Sequence, residues 1–454
     1  MESFRKLGLS EDLIKALADA GFKEPSEIQV KAIPLVVAGK DVIGSAATGS
    51  GKTLAFGAAM LDKIHKSPNQ GIQALIITPT RELAEQNANS LYKFARYLNV
   101  ELAAIYGGVS YEPQFRALKH ADIVTGTPGR LLDHLREGAL NLKNLKYLVL
   151  DEADRMLDMG FIEDITEIIK ACPKERQTLL FSATMSPDIS RMAQKYMNDP
   201  VEVGAVSQVD PSKLHQVFYD VPQDMKFSLL VHLLKKENEE NKNLVMVFCN
   251  TRRNADFITR NLKRYDIHAL AIHGGLSQNR RNSTIDLFHS KDVKVLVCTD
   301  VAARGLDIKG VSHVYNYDIP KTPKEYVHRI GRTARAGKEG IAVNIVARND
   351  YMNFKDVLSD DSLTIERMDL PAVEKIQVSF KDYGMGRPQR SFGRGYGNNR
   401  GGGGRSFGGG NRRFEANGRG FGERRFTGGS RYGARSRGYG EKGGRALGGR
   451  SFSK

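Results

Sequence analysis

The stretch Ala46-Ala47-Thr48-Gly49-Ser50-Gly51-Lys52-Thr53 constrains this chain more than any other. It follows a short apolar run, Asp41-Val42-Ile43-Gly44, and precedes an Ala- and Leu-containing stretch through Leu61, which is the strand, loop and helix order of a phosphate-binding loop. Gly49 and Gly51 let successive backbone N–H groups turn inward, and the positive end of the following helix adds to the field. Such a loop can hold a di- or triphosphate. Lys52 would reach the terminal phosphates, and the Thr53 hydroxyl would lie on a magnesium ion that bridges phosphate oxygens. Ala46 stands where the general pattern opens with Gly, so the loop alone leaves a Gly-rich turn open as an alternative.

A chain of 454 residues is too long for one ordinary core and implies two or three domains. Its formal charge of +16 is unevenly spread, because residues 384–454 carry a net +14 and leave only +2 to the rest. Cys172, Cys249 and Cys298 are far apart and lack paired ligand spacing, so buried free thiols in a reducing compartment are expected, with no metal cluster. The N-terminus alternates charged and apolar residues, and no apolar run approaches membrane-spanning length. A soluble, cytoplasmic protein without a membrane partner is the expectation.

Leu13, Ile14, Leu17 and Ala18 space an amphipathic helix from Ser10 to Ala20, with Ser10 as its cap. After the phosphate loop, apolar runs at 74–78, 101–106, 121–125, 146–150 and 177–181 alternate with helical stretches. Runs of this kind are what a parallel sheet covered on both faces requires. Residues 204–213 have the composition of a linker, and a second series of runs follows at 244–248, 268–272, 293–298, 311–317 and 341–346. The fold class is therefore α/β, with two tandem domains: residues 1–207 and 208–370. The second has no phosphate loop of its own, so it is expected to complete the site of the first. From 371 the chain passes into a tail in which, beyond 384, 24 of 71 residues are Gly, interleaved with 15 Arg and nine aromatics. Such a segment cannot bury enough surface to offset its ordering entropy and is expected to be disordered.

Asp151-Glu152-Ala153-Asp154 ends the apolar run Tyr147-Leu148-Val149-Leu150. A magnesium ion on the phosphates needs a carboxylate from a neighbouring strand, and an attacking water needs a second one pointed differently. Asp151 is the expected metal-holding residue, together with Thr53, and Glu152 the expected general base. A solvated acidic strand exit would be the simpler reading of this tetrapeptide seen alone.

With these motifs in order, residues 4 to about 346 resemble the DEAD-box RNA helicases. The resemblance implies two RecA-like domains, ATP and magnesium as cofactors, and RNA, single-stranded or short duplex, as partner. Ribosomal precursors or mRNA-decay assemblies are the settings it suggests. Phe4, Phe22, Pro25, Ser26 and Gln29 resemble that family's adenine-recognising motif, where a Gln side chain offers both donor and acceptor. The family also tolerates Ala46 in the phosphate loop. Pro79 to Ala84 with Arg81, Gly107-Gly108, and Thr127-Pro128-Gly129-Arg130 resemble RNA-backbone contacts. Asp154, Ser182, Thr184 and His328 are implied to couple the domains. In the second half, Thr251, Gln278 to Arg281 and Thr299 resemble RNA contacts, and Gly305 and Asp307 resemble ribose contacts. His328 to Arg335 resembles the arginine-finger motif, with Arg332 and Arg335 as the fingers. Tail length and a compact core resemble bacterial members, in particular the RhlE-like branch.

These readings imply an ATP-dependent RNA helicase that hydrolyses ATP in an RNA-stimulated manner and unwinds short duplexes locally. A DNA helicase of the same superfamily, and an ATP-dependent RNA clamp or annealing chaperone with little unwinding, are the rivals.

Overall fold

The computed structural model describes residues 1–378 apart from 47–48, 68–69, 205–212, 241–242, 304–305, 307, 309 and 335–338, and the side chains of 238–240. Ala47, Thr48, Gly305, Asp307 and Arg335, most of the expected linker and the whole Arg/Gly-rich tail thus lie outside the described residues.

The apolar runs form strands, and the strands form two sheets. The first contains β1 (Val42–Ser45), β2 (Ala74–Ile77), β3 (Leu102–Ile105), β4 (Ile123–Gly126), β5 (Tyr147–Asp151), β6 (Gln177–Ser182) and β7 (Val201–Gly204), in the order β3-β4-β2-β5-β6-β1-β7. The second contains β8 (Leu214–Asp220), β9 (Leu244–Cys249), β10 (Ala269–Ile272), β11 (Val295–Thr299), β12 (Val311–Asn316), β13 (Gly340–Val346) and β14 (Glu366–Met368), in the order β10-β11-β9-β12-β13-β8-β14. Every pairing in both sheets is parallel.

Both faces of each sheet are covered, which is why the central strands are apolar without alternation. In β5, Tyr147 and Val149 join one core with Phe56, Leu179 and Phe181, while Leu148 and Leu150 join the other with Leu75, Val124 and Leu180. In β9, Val245 and Val247 face one core, and Leu244, Met246 and Phe248 face the other. The helices between strands are started by the residue types expected of caps. The side chains of Ser10, Thr80, Thr251 and Thr322 accept from the amides of Leu13, Leu83, Asn254 and Glu325.

The register fixes where the chemistry sits. Ser45 pairs with Ser182 and Asp151 pairs with Phe181, so β5, β6 and β1 end together, and their C-terminal loops share one edge. Ligands of open parallel sheets bind outside that edge. All three cysteines are buried free thiols. Among the described residues no helix is long and apolar enough to cross a membrane. Residues 371–378, at the start of the expected transition to the tail, lie on the second domain. Val373, Ile376 and Val378 pack against its core, and the Ile376 amide donates to Ser228 Oγ at 3.1 Å.

Candidate active site

The phosphate loop leaves β1 and enters the helix Lys52–His65 through Gly51, whose φ of 94° suits only glycine. A Cβ at Gly51 would also lie 2.2 Å from Gln29 Nε2 and would displace that side chain. Gln29 Nε2 donates to the Gly51 carbonyl at 3.0 Å, its Oε1 accepts from the Ser26 amide at 2.9 Å, and Ser26 Oγ donates to the Ser50 carbonyl at 2.8 Å. Ser26 and Gln29, expected to meet adenine, are therefore one hydrogen-bonded unit with the Gly-rich loop. Phe22 lines the cavity beside the loop, together with Gly49, Gly51, Lys52, Thr53, Asp151 and Glu152. Phe4 is not among the lining residues. It is fully buried behind Phe22, ring edge to ring face at 6.5 Å.

Lys52 is buried and bends back, donating to the Ala46 carbonyl at 3.1 Å. The Ala46 amide donates to the Ser182 carbonyl across the strand ends. Thr53 Oγ1 donates to Asn87 Oδ1 at 2.9 Å, and Asn87 Nδ2 donates to Asp151 Oδ2 at 3.0 Å. Burial pushes the Asp151 carboxyl above the usual carboxylate range, an effect opposed by the Lys52 ammonium and reinforced by the Glu152 carboxylate. Ser50 Oγ and Asp151 Oδ1 are buried without a hydrogen-bond partner among the described residues.

Glu152 takes a left-handed conformation, φ 54° and ψ 50°, which turns the chain out of β5 into the helix Ala153–Asp158. Its Oε2 lies 3.4 Å from Arg155 Nε. Asp154 Oδ2 accepts from Thr184 Oγ1 at 3.0 Å, and Ser182 Oγ donates to the Thr184 carbonyl at 2.7 Å. These acids and hydroxyls are thereby tied into one loop cluster.

The second domain approaches this edge with its own strand-end loops. Arg155 of the first domain and His328, Arg329 and Arg332 of the second line one small cavity. Burial, with Arg155 next in weight, pushes the His328 imidazole down to about 4, so it is neutral near pH 7. Arg332 Nη1 donates to the Leu306 carbonyl at 2.7 Å. Other contacts cross between the domains. Arg281 Nε lies 2.6 Å from Glu82 Oε1, with Gln278 Nε2 donating to the same oxygen at 3.2 Å, and Lys324 Nζ lies 2.9 Å from Asp158 Oδ2.

The residues expected to touch RNA divide into two groups. Thr80, Thr127 and Thr251 sit at the N-caps of the helices Arg81–Phe94, Pro128–Arg136 and Arg252–Lys263, where backbone N–H groups favour an anion. Gly129 is in the first turn of the second of these, and Thr299 ends β11. The arginines are more occupied. Arg130 donates to the Val109 carbonyl at 3.1 Å and stacks on Tyr111 at 3.8 Å. Arg81 fills the space that a Cβ on Gly108 would take, 1.9 Å from its Nη1. Arg281 faces Glu82 and also donates to the Ala302 carbonyl at 2.9 Å.

Three residues have partners that motif reading did not assign, Asn87 outside every motif and Glu82 and Arg329 inside two of them. Asn87 and Glu82 hold the site from the helix Arg81–Phe94, and Arg329 braces the second domain. Arg329 chelates Asp300 through two contacts of 2.6 Å and also donates to Asn250, Asn316 and the Asp318 carbonyl. A signal existed for two of them. Asn87 lies on the helical face of Leu83, Ala84 and Leu91, and Arg329 on that of Tyr326 and Ile330, where a polar residue demands a buried partner.

Comparison with known proteins agrees with this geometry. Residues 26–192 match the family described as DEAD/DEAH box helicase, and residues 225–337 match the helicase conserved C-terminal domain. The chain is 46% identical over 378 residues to the DEAD-box ATP-dependent RNA helicase CshA of Geobacillus kaustophilus, covering 83% of this chain and 80% of that protein. It is 48% identical to the ATP-dependent RNA helicase CshA of Listeria monocytogenes, over 76% of this chain and 66% of that one. Among solved structures, S. cerevisiae Dbp5 bound to RNA and ADP BeF3 superposes with a TM-score of 0.73 at 30% identity, over 81% of this chain and 96% of that one. Mss116p bound to ssRNA and AMP-PNP gives 0.72 at 28% identity, over 80% and 78%. These relatives bear the CshA name, and the RhlE-like branch suggested by the tail finds no specific support in them. With two RecA-like domains, both halves matched by family models and 46% identity over four-fifths of its length, the chain belongs to the DEAD-box ATP-dependent RNA helicases.

Proposed function

We propose that this chain hydrolyses ATP in response to single-stranded RNA and uses closure of its two domains to unwind short RNA duplexes and remodel ribonucleoproteins. One observation carries the reading: Arg155, in the helix that follows the Asp151–Glu152 pair, lines one cavity with His328, Arg329 and Arg332 of the second domain, and Arg281 pairs with Glu82 across the two domains.

The residues present fit a magnesium-bound polyphosphate. Ser50 Oγ and Asp151 Oδ1 are buried polar atoms without hydrogen-bond partners among the described residues, and Asp151 lines the same cavity as Gly49, Lys52 and Thr53. Thr53 and Asp151 would hold the magnesium, which neutralises phosphate charge when bound. Lys52 would leave the Ala46 carbonyl for the terminal phosphates. Gln29 and Phe22 would meet adenine, with Phe4 supporting Phe22, and Gly305 and Asp307 would meet ribose. As water attacks the γ-phosphorus, Glu152 takes its proton, the bond to the β–γ bridging oxygen breaks, and ADP leaves with that electron pair. Arg332 and Arg335 then stabilise the charge developing on the transferred group.

RNA would lie across the helix N-termini at Thr127 and Thr251 and meet Gly108, Gly129 and Thr299, with Arg81, Arg130 and Arg281 supplying positive charge. Such contacts reach phosphate and 2′-hydroxyl, so RNA should be preferred to DNA with little regard to sequence. Asp154, Ser182, Thr184 and His328 would transmit closure between the sheets.

The test is ATP turnover with no nucleic acid, with RNA and with DNA, beside labelled-duplex displacement and annealing assays. Stimulation by RNA alone, with ATP-dependent displacement, is expected. Equal stimulation by DNA would overturn the RNA preference. Annealing without displacement would make the chain an RNA clamp or annealing chaperone.

A further inference from the structure

Asn87 belongs to neither the phosphate loop nor the acidic motif, yet it stands between them. It projects from the helix Arg81–Phe94, is 1% exposed, and lines the same cavity as Lys52, Thr53, Asp151 and Glu152. Both ends of its amide are engaged. Thr53 Oγ1 donates to Oδ1 at 2.9 Å, and Nδ2 donates to Asp151 Oδ2 at 3.0 Å. A carboxylate only accepts, so Asp151 fixes which end of the amide faces it.

Each bond has a consequence for a cation. A hydroxyl coordinates a metal through a lone pair, so its proton must be directed elsewhere, and Asn87 Oδ1 receives the Thr53 proton. A carboxylate with Oδ2 engaged presents Oδ1, and Asp151 Oδ1 is the atom left buried without a hydrogen-bond partner among the described residues. The amide is uncharged, so it orients both oxygens without adding charge of its own. Groups that orient metal ligands in this way commonly alter metal affinity by roughly 10- to 100-fold when removed.

We propose that Asn87 is a positioning residue that aims Thr53 Oγ1 and Asp151 Oδ1 at the magnesium of the bound nucleotide. The inference rests on the reading of Thr53 and Asp151 as the residues that hold that ion. The competing role is purely structural, an amide that satisfies two buried polar groups and nothing more.

Binding of a fluorescent ADP analogue to the full chain, in EDTA and then along a MgCl2 titration, separates the two roles without any turnover. For Asn87→Leu and Asn87→Ala, affinity in EDTA should match that of the wild type, while the magnesium concentration giving half of the tightening should rise by roughly 10- to 100-fold. Thermal unfolding without ligand reports whether each variant is folded. An unchanged magnesium midpoint in either folded variant overturns the proposal, as does an equal loss of affinity with and without magnesium. Failure of both variants to fold would assign Asn87 the structural role instead. A wild-type protein whose nucleotide affinity ignores magnesium would refute the metal reading of Thr53 and Asp151 itself, whereas a normal wild-type response with unaffected variants refutes only the role of Asn87.

Discussion

Glu152 and Asp151 are adjacent, yet their surroundings differ because the backbone between them turns. The left-handed φ of 54° at Glu152 costs a non-glycine residue on the order of 1–3 kcal/mol, a strain that active sites commonly carry. If Glu152 takes the water proton while Lys52 holds phosphate, Glu152→Gln should bind ATP and RNA but scarcely hydrolyse, and Lys52→Ala should lose ATP affinity as well. Equilibrium binding beside single-turnover hydrolysis checks this, and an equal loss of ATP affinity in both variants would refute the division of roles. His328 gives a prediction in pH. Its imidazole, near 6.5 in an open or unfolded chain, is held at about 4 by burial and by Arg155, with Arg332 and Lys324 adding to the effect and Asp154 opposing it. Between those values the unfolded chain binds a proton that the native cleft refuses, so stability falls as pH drops from about 6.5 towards 4. Unfolding midpoints measured across that window should fall less steeply for His328→Asn than for the wild type, and parallel curves would place the proton elsewhere.

At the scale of elements, two helix N-termini meet across the domains: the first turn of Arg81–Phe94 offers Glu82, and the first turn of Gln278–His289 offers Gln278 and Arg281. Each strand-to-helix loop belongs to its own sheet, so this pair can part without unfolding either domain. Arg281→Met should therefore leave the thermal stability of the separate domains near normal while weakening joint binding of ATP and RNA. A charge-assisted contact contributes roughly 1.5–3 kcal/mol, which corresponds to on the order of 10- to 100-fold in that joint affinity. Exchanging the charges, Glu82→Arg with Arg281→Glu, should recover part of it. An Arg281→Met variant that loses RNA affinity equally without ATP would show that Arg281 serves RNA directly. Such partners explain what could and could not be read from the residues. The central strands β2, β5 and β9 were legible because burial on both faces leaves an unbroken apolar run, and the phosphate loop and Asp151–Glu152 were legible because their chemistry is local. The edge strands β7 and β14, exposed along most of their length, carry no such run, and β8 interrupts its own with His215 and Gln216. For Asn87 the helical face announces a buried polar side chain, and only its partners were illegible. Its partners lie 34 and 64 residues away, and only the packing of the helix Arg81–Phe94 beside β5 and the phosphate loop brings them together.

The whole molecule adds a polycation to this two-domain machine. Residues 371–378 are fastened to the second domain by Val373, Ile376 and Val378 and by the Tyr265 hydroxyl on the Gln377 carbonyl, so the chain sets out towards its Arg/Gly-rich tail from that surface. Beyond 384 come 15 Arg, two Lys and nine aromatic residues against three Glu. Such a segment should hold single-stranded RNA by counterion release and base stacking without selecting a sequence. If about half of the arginines engage phosphate at once, RNA binding should carry an extra log–log salt slope of roughly −5, at about −0.7 for each single-strand phosphate neutralised. Deleting residues 384–454 leaves the anchoring segment in place and should remove that slope. Every residue assigned to chemistry lies at or before Arg335, so turnover at saturating RNA should survive the deletion while the RNA concentration for half-activation rises. Measuring turnover and RNA affinity for the full and shortened chains at two salt concentrations tests both halves of this expectation. An unchanged slope would reduce the tail to a solvated extension, and a collapse of saturating turnover would mean that the tail enters the closed cleft itself.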